Sequence, residues 1–262
     1  ANNHVLDWGE EGIFAMIETL RDDGIDYLGV YENEAAAAQP KLTNVGDISI
    51  GWIAHTFSVN QKPLPVGKQW LVDITPFHVV PDPDTSRIEQ QILAARAAGC
   101  QLVIVCLHWG AEWEFYPLPG QLAWAHKFAE LGADAIIGTH PGVIQPVEIY
   151  RPESDPEKAV PILYSLGNLT PSMGAPYTAL SLVANLTLAR GHLGGMACTA
   201  ITGLQLTPVA VMAQRNDSGL FAACVPLVQL TGSGQEPQTQ AYVSQMGEYA
   251  DLVLGQDWRQ AA

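Results

Sequence analysis

The stretch from Leu102 to Gly142 reads LVIVCLHWGAEWEFYPLPGQLAWAHKFAELGADAIIGTHPG. Its first part, Leu102 to Leu107, is an unbroken apolar run, the pattern of a strand covered on both faces. A helical segment from about Pro119 to Leu131 stops at Gly132, and Ala135-Ile136-Ile137-Gly138 follows as a second short apolar strand. Strand, helix, strand is a βαβ unit, so the middle of the chain is α/β with a parallel pair.

Working outward, Gly12 to Leu20 reads as a helix with Ile13, Met16, Ile17 and Leu20 on one face, ending near Gly24. Ile25 to Val30 reads as a short strand and Ile48 to His55 as a second. Pro63, Pro65, Pro76, Pro81 and Pro83 make residues 56–84 mostly loop, with one strand at Trp70 to Ile74. Ser86 and Glu89 form a capping-box pattern for a helix carrying Ile88, Ile92, Leu93 and Ala95, which stops at Gly99. Beyond residue 144 the pattern becomes strands separated by turns: Ile144 to Tyr150, Ile162 to Leu166, Ala179 to Leu188, Met196 to Leu206 and Val225 to Leu230. A helix from about Thr239 to Leu254 follows. With no repeat and no linker composition, residues 1–262 are expected to form one domain, α/β over 1–143, mainly β over 144–235 and helical over 239–254.

The 262 residues are 48% apolar and carry 27 acidic against 12 basic side chains, a formal charge of −15. Only 15% of residues are charged, against roughly 25% in an average globular chain, so the acidity reflects a shortage of Lys and Arg. That disfavours nucleic acid and anionic membrane surfaces, both of which demand clustered basic side chains. No apolar run approaches the roughly 18 residues of a membrane-spanning helix. Ala1-Asn2-Asn3-His4 shows no signal-peptide pattern, and the chain reads as starting partway through something longer. Cys100, Cys106, Cys198 and Cys224 lack CxxC spacing and read as buried free thiols.

Three apolar strands end in imidazoles. The run at 102–107 delivers His108-Trp109-Gly110, the run at 135–138 delivers Thr139-His140-Pro141-Gly142, and the run at 48–54 delivers His55. Ligand crevices of open α/β sheets lie beyond the carboxyl ends of the strands. One histidine there is more often structural; two, each followed by a glycine-containing turn, point to a metal or catalytic site. His55 stands evenly between the two readings. Asn2-Asn3-His4 adds a carboxamide and another imidazole, followed by Asp7. His78, His126 and His192 read as loop or helix-surface residues, and the tryptophans as packing.

Four segments occur in order: Ala1-Asn2-Asn3-His4-Val5-Leu6-Asp7-Trp8-Gly9, His108-Trp109-Gly110-Ala111-Glu112-Trp113, Gly138-Thr139-His140-Pro141-Gly142 and Tyr164-Ser165-Leu166-Gly167-Asn168. In content, order and spacing they resemble the CapA family of poly-gamma-glutamate capsule biosynthesis proteins, a branch of the calcineurin-like metallophosphoesterases. The resemblance covers about residues 1–185. It implies a four-layer αββα sandwich with divalent metal ions (Mn, Zn, Fe or Mg) at the strand ends, where paired cations clamp a phosphate and activate a water. Asn3, His108 and His140 would be metal ligands, and His4, with Asn3, would act at the leaving group. Glu112 and Asn168, together with His55, would orient the substrate or the ligands.

The sequence departs from the family twice. Its His-Pro-His element appears as His140-Pro141-Gly142, and the Gly-Asp and Asn-x-Glu elements that precede the Asn-Asn-His motif are not in this sequence. The expectation is therefore a fold missing its first strands, the C-terminal portion of a CapA-like protein whose first segment is lost to truncation, left unrecorded or supplied by another chain. Two functions stand side by side: a metal-dependent phosphoesterase-type hydrolase, or a non-catalytic binding or assembly component for an anionic polymer. A charge of −15 opposes direct contact with such a polymer unless cations or a basic pocket intervene. The resemblance implies the cell envelope or exterior, and a bland α/β domain with structural histidines is the third reading.

Overall fold

The computed structural model describes residues 1–169, 175–216, 219–230 and 237–260. Helix α1 (Gly9–Asp22) buries Ile13 and Ile17, one turn apart. These side chains pack with Leu6, Val30, Leu71 and Val72 in a small core of their own. A short helix α2 (Glu34–Ala37) is capped by Asn33, whose side chain accepts from the Ala36 N–H at 2.9 Å. Strands β1 (Lys41–Val45) and β2 (Ile48–Thr56) form a hairpin. Then come α3 (Ser86–Ala97), β3 (Leu102–His108), α4 (Pro119–Glu130), β4 (Ala135–Thr139), β5 (Val147–Tyr150) and β6 (Val160–Leu163). The remainder is β7 (Leu180–Leu193), β8 (Met196–Asn216), β9 (Gly219–Pro226), a single turn α5 (Leu227–Leu230) and α6 (Pro237–Leu254).

The first six strands make one sheet in the order β1-β2-β3-β4-β6-β5. Strands β2, β3, β4 and β6 run parallel, with β1 and β5 antiparallel at the edges. Alternation along β3 explains its unbroken apolar run. Val103, Val105 and Leu107 face Ile88, Ile92 and Ala95 of α3 and Ala125, Phe128 and Ala129 of α4. Leu102 and Ile104 face the other way, toward Leu186, Leu188 and Ile201 of the second sheet. Each such fully buried side chain is worth about 1.5–3 kcal/mol relative to exposure. The second sheet is β7-β8-β9, fully antiparallel, and α6 packs Val243, Met246, Ala250 and Val253 against its Leu180, Leu182 and Ala210. The chain thus has the expected mixed α/β architecture, with helices, parallel sheet, antiparallel sheet and a further helix in contact in that order.

Several local expectations change. Val225 to Leu230 is not a strand throughout: the β9 ladder ends at Pro226, which has no N–H to continue it, and Leu227–Leu230 turns into a helix with Leu227 buried. Ile25 to Val30 forms only a bridge from Val30 to Val72, and the expected strand at Trp70 to Ile74 begins as a 3-10 turn, Gln69–Leu71. These segments hydrogen-bond each other sparsely, through Tyr31 N–H to Leu71 O and Asp73 N–H to Gly29 O. Ser86 is not the cap of α3. Thr85 holds that position, donates to Glu89 Oε1 at 2.6 Å, and leaves Asp84 to accept the Ser86 N–H at 2.9 Å. Strand β5 starts at Val147 rather than Ile144, since Pro146 interrupts the ladder. All four cysteines are free; Cys100 is buried and Cys106 partly so, but Cys198 and Cys224, on β8 and β9, are exposed rather than buried. Among the described residues no helix is long and apolar enough to cross a membrane.

Candidate functional site: an imidazole cluster at the strand ends

Strand register sets the site. Thr56, His108 and Thr139 lie side by side at the carboxyl ends of β2, β3 and β4. Phe57 and Trp109 are held just beyond by Phe57 N–H to His108 O (2.9 Å) and Trp109 N–H to Thr139 O (3.0 Å). Alternation along β3 sends the His108 side chain to the face opposite the helices, the side of Ile104 and Cys106.

There His108 meets the amino-terminal turn of the chain. Its Nε2 lies 2.9 Å from Asn3 Oδ1 and its Nδ1 3.0 Å from Thr139 Oγ1. The Asn3 amide donates to Asn60 Oδ1 at 3.0 Å, so the Asn3 carbonyl oxygen is what faces the ring. That assigns the proton to His108 Nε2 and leaves Nδ1 accepting from the Thr139 hydroxyl. His4 is exposed, and its Nδ1 lies 2.8 Å from Asp7 Oδ2 and 3.2 Å from Asn60 Nδ2. A carboxylate only accepts, so the closer contact puts the proton on Nδ1 and turns a neutral His4 Nε2 into a lone pair. The turn is fixed by the His4 N–H donating to Asn2 Oδ1 at 3.0 Å.

His140 completes the group, with its ring centroid 4.7 Å from His108 and 4.5 Å from Phe57. Its φ of 106° is a left-handed conformation that a non-glycine residue holds only under constraint from its surroundings. Burial, with His140 close by, holds the His108 imidazole down to about 3. Burial, followed by the nearby His78, holds His140 down to about 4. Both are neutral near pH 7.

The structure brings Asn3, His4, His108 and His140 together. Of the other three expected residues, His55 lies on the opposite face of the sheet. His55 pairs in register with Leu107 and therefore shares the helix-facing side of the sheet. It is fully buried, with Nδ1 2.9 Å from Thr75 Oγ1 and Nε2 2.8 Å from Gln91 Oε1, so both nitrogens are satisfied within the core. Glu112 is exposed in the loop after β3, and Asn168 is half-buried just past the Gly167–Ser181 bridge. Among the described residues neither is hydrogen-bonded to the imidazoles.

Sequence reasoning missed Phe57, Asn60 and His78, which the fold adds from loops. Asn60 carried a weak signal only in hindsight, its φ of 54° being tolerated best by Asn among side-chain-bearing residues. His78 had none, since it sits alone in a proline-rich loop.

The position that departs from His-Pro-His disfavours a side chain. Gly142 has φ of +73°, and a Cβ there would lie 3.2 Å from the Trp113 ring. Trp113 is held in place by its N–H on Pro141 O at 2.9 Å.

The donors at this site do not fit a dication centre. Asn3, His108 and His140 are neutral, and no group of three or more His, Cys, Asp or Glu side chains among the described residues is placed to hold a metal ion. Hard cations want anionic oxygen ligands, which this cluster does not supply.

Fold and cluster together define an α/β protein with an imidazole-lined site at the carboxyl edge of its parallel sheet. The chain belongs to the bacterial capsule synthesis protein PGA_cap family, whose model matches residues 1–172. It is 30% identical over 177 residues to the capsule biosynthesis protein CapA of Bacillus anthracis, covering 66% of this chain and 39% of that protein. It is 27% identical over 212 residues to the PGA biosynthesis protein CapA of Bacillus subtilis, covering 80% and 52%. A probable polyglutamine synthesis accessory protein of Mycobacterium tuberculosis is 30% identical over 176 residues, 64% of this chain and 43% of that one. The chain thus spans about half the length of the curated relatives it matches or less. Among solved structures, the calcineurin-like phosphoesterase YfkN of Bacillus subtilis aligns with a TM-score of 0.44 at 13% identity, over 94% of this chain and 68% of that one.

Proposed function

We propose that this chain carries the phosphoester-directed site of a capsule or poly-gamma-glutamate biosynthesis protein, acting at the cell envelope. The observation that supports it most is the hydrogen-bonded arrangement of His4 on Asp7 beside Asn3 on His108. An imidazole whose Nδ1 proton is held by a carboxylate presents Nε2 as a proton-transfer group. In hydrolysis, water forms the new P–O bond and releases a proton to solvent, the old P–O bond breaks, and the His4 imidazolium gives its Nε2 proton to the departing oxygen and is recharged from solvent. Asn3, His108 and His140 orient the phosphoryl group. No step is assigned to a cation, because the described donors do not make a cation site.

The test is hydrolysis of bis(p-nitrophenyl) phosphate by the wild type and by His4→Ala and His108→Ala, each with EDTA and with added Mn²⁺. Loss of about a hundredfold or more in His4→Ala is expected for a general acid. Equal rates in the wild type and both variants would sink the reading.

Gly142 and the lack of a carboxylate partner for His108 and His140 favour a second reading, a non-catalytic component that binds an anionic polymer. Titration with poly-glutamate, with and without divalent ions, separates the two. Saturable binding with no turnover of any phosphoester supports the second.

A further inference from the structure

His78 sits in the 3-10 turn Phe77–Val79, far in sequence from every motif of the site. The fold nevertheless sets its ring 4.5 Å from Phe57, which is also 4.5 Å from His140. The His78 and His140 rings are 6.5 Å apart and nearly parallel, inclined by 22°. The two imidazoles therefore pack against the same phenyl ring, as neighbours of one another. His78 Nδ1 accepts the Gly110 N–H at 3.2 Å, and Gly110 belongs to the His108-Trp109-Gly110 turn. An accepting Nδ1 fixes the tautomer of a neutral imidazole: Nε2 must carry the hydrogen. Among the described residues no side chain or backbone group takes that hydrogen, and the ring is half-buried rather than sealed in the core.

We propose that His78 is a further substrate-binding residue of this site, donating its Nε2–H to a non-bridging oxygen of a phosphoryl group. The proposal rests on the phosphoester reading and adds a residue to it. Gly110 has a double role here, since its backbone both follows the His108 strand end and sets the His78 tautomer. A hydrogen bond to a charged oxygen is among the stronger ones a neutral donor makes.

Two-bond ¹H–¹⁵N spectra of the full chain, titrated with inorganic phosphate, read each imidazole separately. The expected result is an Nε2–H tautomer for free His78, and phosphate-dependent shifts of His78 and His140 that follow one binding curve. In His78→Ala, phosphate binding read at His140 should weaken about tenfold, the value of one hydrogen bond to a charged group. In His78→Gln, whose amide restores an N–H, affinity should recover most of that loss. Shifts at His108 and His140 with none at His78, or unchanged affinity in His78→Ala, overturn the proposal and leave the phosphoester reading standing. Phosphate that moves no imidazole overturns both. Should His78→Ala fail to fold, the wild-type titration and His78→Gln still decide.

Discussion

Gly142 shows how one residue limits what its position can hold. Its backbone lies in the left-handed region at φ +73°, and the Trp113 ring stands 3.2 Å from where a Cβ would be. Gly142→His would meet two costs at once. The left-handed conformation itself costs about 1–2 kcal/mol for a residue with a Cβ, and the indole must move as well. We expect Gly142→His to lower Tm by several degrees, at roughly 2–4 °C per kcal/mol for a chain of this class. Gly142→His with Trp113→Ala should recover the steric part and keep the backbone part. Equal melting of the single and double variants would show that Trp113 does not occupy the space. An imidazole at this position therefore needs both a left-handed backbone and a shift of the Trp113 ring.

At the scale of elements, the site depends on how closely β4 and β6 approach. A Cβ on Gly138 would lie 1.9 Å from Tyr164 O, the oxygen that accepts the Trp109 Nε1–H at 3.2 Å. Gly138→Ala therefore pushes two strands and the Trp109 turn apart, and should cost about 3 kcal/mol, the upper range for overpacking. A lower urea midpoint at unchanged slope is the readout. The end of α4 carries a different device. Glu130 accepts from Tyr150 OH (2.8 Å) and from Glu153 N–H (2.6 Å), and these bonds, the Glu153 backbone bond foremost, hold its carboxyl down to about 2. Because the folded value is depressed, its contribution is full above the ordinary carboxylate value near 4.3 and is lost as pH falls through about 2. Glu130→Gln should lower Tm at pH 7 and flatten its decline between about pH 5 and 2; parallel Tm curves for the two proteins would refute this. These elements were legible to different degrees. The βαβ unit from Leu102 to Thr139 announces itself, since burial on both faces forces a continuous apolar run and the glycines end its helix. Ile25 to Val30 misled, because its apolar pattern reports a buried segment and not a ladder partner. Asn3, His4, His108 and His140 were readable from motifs at strand and turn ends, whereas His78 was not: its place is set by packing on Phe57, a contact across the fold that leaves no periodic trace.

For the molecule as a whole, charge and chemistry at the site pull in different directions. The chain carries a formal −15, which concentrates cations around its surface without choosing a place for them. At the cluster itself the donors are neutral, and His108 Nε2 spends its hydrogen on Asn3 Oδ1 at 2.9 Å. A dication would have to displace that hydrogen bond and receive no carboxylate in return. Binding that is specific to the folded chain raises Tm through mass action, by about 2.7 kcal/mol at a hundredfold excess over Kd, which is roughly 5–10 °C here. We expect neither EDTA nor millimolar Mn²⁺ to move Tm by more than about 1 °C. Weak screening of surface carboxylates would give a small drift that Ca²⁺ or Mg²⁺ reproduces and that His108→Ala keeps. A rise of several degrees that His108→Ala abolishes would show instead that the imidazoles and Asn3 hold a cation unaided, and the chemistry of the site would then have to be rewritten around that ion.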